Sequence, residues 1–85
     1  DQCFCGPSAV NLSKGYCHPN IEEVEGNRAM IHASRKKYIV SDSSKMNQTA
    51  PFKMFDIDCV DGFVVDNNFP PEYREYMELH GIEVI

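Results

Sequence analysis

The stretch Lys36-Lys37-Tyr38-Ile39-Val40-Ser41-Asp42-Ser43-Ser44-Lys45 decides the fold. An apolar run, Tyr38-Ile39-Val40, gives way at once to a carboxylate, hydroxyls and an ammonium. Aromatic and β-branched residues suit a pleated, half-buried chain, and Asp and Ser favour the turn that ends it. Polar groups at the carboxyl end of a strand occupy the place where open α/β sheets bind ligands. The same device recurs where Gly62-Phe63-Val64-Val65 runs into Asp66-Asn67-Asn68, and where Gln2-Cys3-Phe4-Cys5 runs into Gly6-Pro7-Ser8. Three such exits predict one crevice lined by three loops.

The other elements follow outward from these strands. Residues 6–19 contain Gly6, Pro7, Asn11, Gly15 and Pro19 and read as a long loop. Asn20 is a good N-cap for a helix ending near Ser34, with Glu23 at capping-box spacing. Glu22, Glu23 and Glu25 suit the positive end of that helix, and Ile21, Val24 and Ile31 lie near one face. Gly26 weakens its middle by up to ~1 kcal/mol relative to Ala. Strand 37–41 follows, then a loop from Asp42 to Pro51, and residues 52–60 read as one irregular turn packed on the sheet. Strand 62–65 is wholly apolar, as a buried parallel strand is. Pro71 suits the first turn of a helix running about Glu72 to His80, on which Tyr73, Tyr76, Met77 and His80 form a packing stripe. Gly81 is placed to end it, and Ile82 to Ile85 form the last strand. This order predicts an α/β fold with a parallel sheet.

The 85 residues suffice for one small domain. The chain starts at Asp1 and stops at Ile85 inside an apolar stretch, and it reads as a piece of a longer protein. Net charge is −5 and the longest basic run is Arg35-Lys36-Lys37, which argues against direct nucleic-acid contact by this segment. No apolar run approaches the ~20 residues that span a bilayer, so a soluble, cytoplasmic segment without membrane contact is expected. Cys3, Cys5, Cys17 and Cys59 have a spacing that looks intracellular, and Cys3 and Cys5, on one face of a strand, read as small buried hydrophobes. A zinc site from Cys3, Cys5, Cys17 and His18 is disfavoured, because structural zinc prefers paired C-x₂₋₄-C knuckles.

Lys45 is a point-charge binder of the kind that holds phosphate. The hydroxyls of Ser43 and Ser44 and the loop amides add donors, and Asp42 can accept from sugar hydroxyls. A plain surface turn accounts for the same residues, and the string alone leaves both readings open. Glu25 near the crevice is a conceivable general base, although helix-end electrostatics explain it more simply. No G-x-S-x-G, P-loop or H-E-x-x-H pattern occurs, so catalysis has no positive support.

Several segments in combination resemble the C-terminal half of the sensor domain of DeoR-type transcriptional regulators. They are Gly15-Tyr16-Cys17-His18-Pro19-Asn20 before an acidic helix, Arg28-Ala29-Met30-Ile31 within it, and Asp42 to Lys45 after the next strand. Asp56-Ile57-Asp58 and Val65-Asp66 complete the pattern, which departs from the family at Cys5-Gly6-Pro7. The resemblance implies a Rossmann-like parallel sheet with flanking helices, similar to ribose phosphate isomerase. It implies residues 1–85 as the C-terminal part of an effector-binding domain, with an N-terminal helix-turn-helix DNA-binding domain absent from this chain. The expected protein is a non-enzymatic, cofactor-free, oligomer-forming repressor of carbohydrate-utilisation genes. Its effector is a phosphorylated sugar: Lys45 and Ser44 on the anion, Asp42 and Asp66 on sugar hydroxyls, Gly6 allowing close approach. An isomerase-like enzyme with Glu25 or Asp66 as base, or a ligand-free assembly module, are the alternatives.

Overall fold

The computed structural model describes residues 1–85. In chain order the elements are β1 (Gln2–Cys5), β2 (Ala9–Asn11), β3 (Gly15–His18), α1 (Ile21–Ala33), β4 (Lys36–Val40), β5 (Phe52–Phe55), β6 (Gly62–Val64), α2 (Pro71–Leu79) and β7 (Glu83–Val84). Single 3₁₀ turns lie at Ser43–Lys45 and Ile57–Cys59.

The expected parallel sheet is present, in the order β1-β4-β6-β7. Its register lines Cys5, Ile39, Phe63 and Val84 in one row across the sheet. Strand order rises monotonically from one edge to the other, so right-handed crossovers carry every connection over the same face. Burial follows: Cys3, Cys5, Ile39 and Phe63 are buried on the covered face. On the opposite face Phe4 and Val40 stay about half exposed, at 54% and 45%. There the Phe4 and Tyr38 rings stack, and Tyr38 lies over Gly62, filling the space a side chain would need.

Residues 6–19 and 52–60 depart from the loop and turn expected of them. They supply β2, β3 and β5, which form an antiparallel sheet in the order β2-β3-β5. Pairing Tyr16 with Phe55 and Cys17 with Lys53 leaves Met54 as an extra residue on β5. That bulge turns the consecutive Met54 and Phe55 both inward, which hides the period-2 pattern of a strand. Tyr16 joins the layers, its ring 5.3 Å from Phe55 and 6.1 Å from Phe63, with its hydroxyl donating to the Ile57 carbonyl at 3.1 Å. Phe69 and Tyr73 extend the aromatic row toward α2.

The helices bury part of the expected faces, Val24 and Ile31 of α1 and Tyr73 and Met77 of α2, with Tyr76 partly buried, whereas Ile21 and His80 are exposed because each sits at a helix end beyond the packed layer. Asn20 caps α1 by accepting from the Glu22 amide at 2.9 Å. The reciprocal half of the capping box is taken by His18, whose Nδ1 accepts from the Asn20 amide at 3.0 Å. Arg28 ties α1 to β5 by donating to the carbonyls of Met54 (2.7 Å) and Lys53 (3.1 Å). Pro71 begins α2, Gly81 ends it at φ 72°, and the last strand shortens to Glu83–Val84.

Two glycines test this packing with opposite signs. Gly15 has φ +87°, and a Cβ there would sit 2.5 Å from the Phe55 carbonyl oxygen. Gly15→Ala should cost about 1–3 kcal/mol. Gly26 lies in α1 with open space around it, and Gly26→Ala should add about 0.5–1 kcal/mol. Urea midpoints of the two variants check both, and a Gly15→Ala chain as stable as the parent would contradict the β3–β5 approach.

Candidate functional site

Parallel pairing brings the exits of β1, β4 and β6 to one end of the sheet. A cleft of about 480 Å³ opens there, lined by Gly6, Pro7, Val40, Ser41, Asp42 and Lys45. Of the residues singled out in the sequence, Gly6, Asp42 and Lys45 line it, while Ser44 and Asp66 stand outside its walls. Lys45 is half-buried and forms no ion pair; the chain's single ion pair joins Lys53 and Asp56.

The β4 exit folds back on itself. The Asp42 carboxylate accepts from the Ser44 amide at 3.0 Å and from the Ser44 hydroxyl, capping the 3₁₀ turn. The Ser41 amide donates to the Val64 carbonyl at 3.1 Å, and those of Lys45 and Met46 to the carbonyls of Asp42 and Ser43 at 3.2 and 3.1 Å. The Ser43 amide donates to Asp66 at 3.2 Å. Most backbone donors expected to serve a ligand are therefore already committed. The free cationic donor on the cleft is the Lys45 ammonium.

Asp66 joins two strand exits. Its carboxylate accepts from the Ser43 amide, the Ser43 hydroxyl and, at 3.1 Å, the Asn68 amide. These bonds, the Ser43 hydroxyl foremost, hold its pKa below the ordinary carboxylate value. Gly6 has no steric reason within the chain to be glycine, since a Cβ there would meet the Val40 carbonyl oxygen at an ordinary 3.6 Å. Just before it, burial pushes the Cys5 thiol up to about 11, with Cys3 adding to the rise. Cys3, Cys5 and Cys17 are buried, Cys59 is exposed, and all are free thiols. Glu25 is exposed on α1 and does not line the cleft. A second cleft of about 420 Å³, lined by Leu12, Glu72, Glu75, Tyr76 and Leu79, carries only acidic charge and suits no anion.

A one-sided parallel sheet with a cation-bearing cleft at its strand exits defines an α/β domain with its cleft where such folds take ligands. Residues 1–67 match the family model described as the DeoR C terminal sensor domain, and the chain belongs to that family. It is 33% identical, over its full length and 32% of the relative, to a protein named as a transcriptional repressor of the aga operon in Escherichia coli O157:H7. It is 26% identical, over its full length and 33% of the relative, to the HTH-type transcriptional regulator GlpR of Haloferax volcanii. Over 68% of the chain and 23% of the relative it is 29% identical to the L-fucose operon activator of Haemophilus influenzae. The chain thus spans about a third or less of the length of these curated relatives.

The Asp66 link has a defined pH dependence. Ser43 and Asn68 hold the ionised carboxylate, so the folded pKa lies below the ordinary 3.8. The link contributes fully above that ordinary value and is lost as pH falls through the lower folded one. A ¹³C titration of the Asp66 carboxyl carbon should have its midpoint below 3.8. Ser43→Ala should move it back up, and an unmoved midpoint would exclude the hydroxyl as its cause.

Proposed function

We propose that this chain is the effector-sensing part of a cytoplasmic, non-enzymatic regulator of carbohydrate-utilisation genes, and that its cleft takes a phosphorylated sugar. One observation carries the reading: Lys45, a half-buried cation with no ion-pair partner, faces a cleft walled by Gly6 and Asp42. Its ammonium meets the phosphate, Gly6 lets the ligand approach the β1 exit, and Asp42 accepts from sugar hydroxyls. Ser44 acts by holding Asp42 in place. The names of the relatives, an aga operon repressor and an L-fucose operon activator, support carbohydrate control. Operator binding belongs, in this reading, to a helix-turn-helix segment outside these residues. The isomerase-like alternative is the weaker one, because Glu25 does not line the cleft and Asp66 is engaged by Ser43.

In the intact regulator Lys45→Ala should abolish induction and leave operator affinity unchanged. Loss of a charge-assisted contact costs about 1.5–3 kcal/mol, or roughly 10- to 150-fold in effector affinity. Titrating operator complexes with sugar phosphates measures it, and an identical curve for the variant removes Lys45 from the site.

The reading extends to self-association. Parallel sheets are normally covered on both faces, and here Phe4, Tyr38, Val40 and Val64 lie on the uncovered one, with Phe4 and Val40 exposed. In a full-length regulator other parts of the sensor can occupy this face; for the isolated chain only a second copy is available. The isolated chain should dimerise, burying upwards of ~1,000 Å², and Val40→Glu should return it to monomer. Sedimentation equilibrium at low micromolar concentration decides this, a cooperatively folded parental monomer being the refuting result.

A further inference from the structure

We propose that Asp66 and Tyr73, neither of which lines the cleft, are positioning residues that fix the Lys45 loop at its two ends. The inference rests on the phosphate reading of the cleft given above.

The loop leaves β4 at Ser41 and carries Lys45 at its middle. Its first anchor is Asp66, which takes the Ser43 amide at 3.2 Å on one carboxylate oxygen and the Ser43 hydroxyl on the other. Its second anchor is Tyr73 on α2, a ring that is almost fully buried. The Tyr73 hydroxyl accepts from the Asn47 amide at 3.0 Å and donates to Asn47 Oδ1 at 2.9 Å, with the Val10 carbonyl oxygen also close at 3.3 Å. Asn47 has φ 62°, a left-handed conformation that Asn tolerates better than most residues and that turns the chain at this anchor. Between the anchors Met46 is buried, with a parallel bridge to Val10. Only Ser44 and the Lys45 side chain are left to face outward.

A lysine ammonium on a mobile loop loses backbone and side-chain freedom when it binds an anion. A loop pinned on both sides has lost the backbone part beforehand, which raises affinity by preorganisation. Asp66 does not line the cleft, and three of its acceptor sites are taken by Ser43 and Asn68, so it acts through the loop rather than on the ligand. The sign of its effect separates these roles from simple electrostatics. Removing a carboxylate near an anion site strengthens anion binding by Coulomb's law, whereas releasing the loop weakens it.

Inorganic phosphate is the discriminating probe, because it carries no sugar hydroxyl for Asp66 to contact. Phosphate titrations of the chain, followed by ¹⁵N amide shifts, should show half-saturation raised about tenfold in Asp66→Ala and less in Asp66→Asn, which keeps an acceptor. Tyr73→Phe, which keeps the ring, should also weaken binding. Asp66 is exposed, so Asp66→Ala should lose only its link's share of stability at neutral pH and stay folded, and phosphate affinity should fall in the folded chain. If Lys45→Ala loses phosphate and Asp66→Ala binds as tightly as the parent or tighter, the positioning role is overturned and the cleft reading stands. If the parent shows no phosphate response, the cleft reading fails. The anchors are then judged by hydrogen exchange: amides 43–47 must exchange faster in both Asp66→Ala and Tyr73→Phe, and unchanged exchange overturns them too.

Discussion

The row of parallel pairing from Cys5 through Ile39 to Phe63 is the constraint on which the rest of this small protein depends. Ile39 and Phe63 are fully buried, so a shift of β4 by one residue would expose Ile39 and bury Tyr38 or Val40 instead. Burial thereby holds the register. Register in turn fixes where the strands end: Gly6 after β1, Ser41–Asp42 after β4, and Asp66 two residues after β6. The cleft follows from strand alignment, and the Ser43–Asp66 bonds are possible because two neighbouring strands stop level with one another.

Monotonic strand order has a second consequence. It sends α1, the antiparallel sheet and α2 to one side, where Tyr16, Phe63, Phe69 and Tyr73 form a continuous aromatic row between layers. Almost all of the core lies on that side. Its polar atoms are satisfied, since the buried hydroxyls of Tyr16 and Tyr73 each find a partner and no buried side-chain nitrogen or oxygen is left without one. The other side holds Phe4 against Tyr38 and Tyr38 against Gly62, a thin aromatic cover that leaves apolar surface in water. A domain of this size buries only roughly 60–65% of its unfolded surface, so an uncovered sheet face is a large fraction of what it lacks.

The strands and helices with strong periodic or apolar signals were legible from the residues. Tyr38-Ile39-Val40 and Gly62-Phe63-Val64 announce parallel strands, although only Ile39 and Phe63 of the two runs lie on the covered face, and Asn20 and Pro71 mark the helix starts. The antiparallel sheet was not legible, for identifiable reasons. β2 has three residues between turn formers, and its partner β3 begins at Gly15, whose positive φ serves the hairpin and which reads as a loop residue in isolation. β5 conceals its alternation behind the bulge at Met54. At the cleft, residue types and their placement at strand ends could be read, whereas the choice of partners could not. Nothing local distinguishes Ser43, which bonds across to Asp66, from Ser44, which bonds back to Asp42. The second loop anchor was hidden more deeply, because Tyr73 belongs to a packing stripe and its hydroxyl meets Asn47 only through the tertiary fold.

The charge balance at the cleft narrows what it can recognise. Its walls carry one cation, Lys45, and one anion, Asp42, within a chain of net charge −5. A polyanion such as a nucleic acid backbone meets net repulsion and a single lysine. A simple carboxylate or phosphate satisfies Lys45 and leaves Asp42 facing it as a like charge. A molecule that presents an anion at one end and hydroxyl donors beside it satisfies both groups, and the loop's own amides, already bonded internally, do not compete to hold the anion elsewhere. On this reading Lys45 supplies most of the attraction and Asp42 most of the discrimination, since a ligand without donors leaves the carboxylate oxygen not engaged by Ser44 facing it as a like charge.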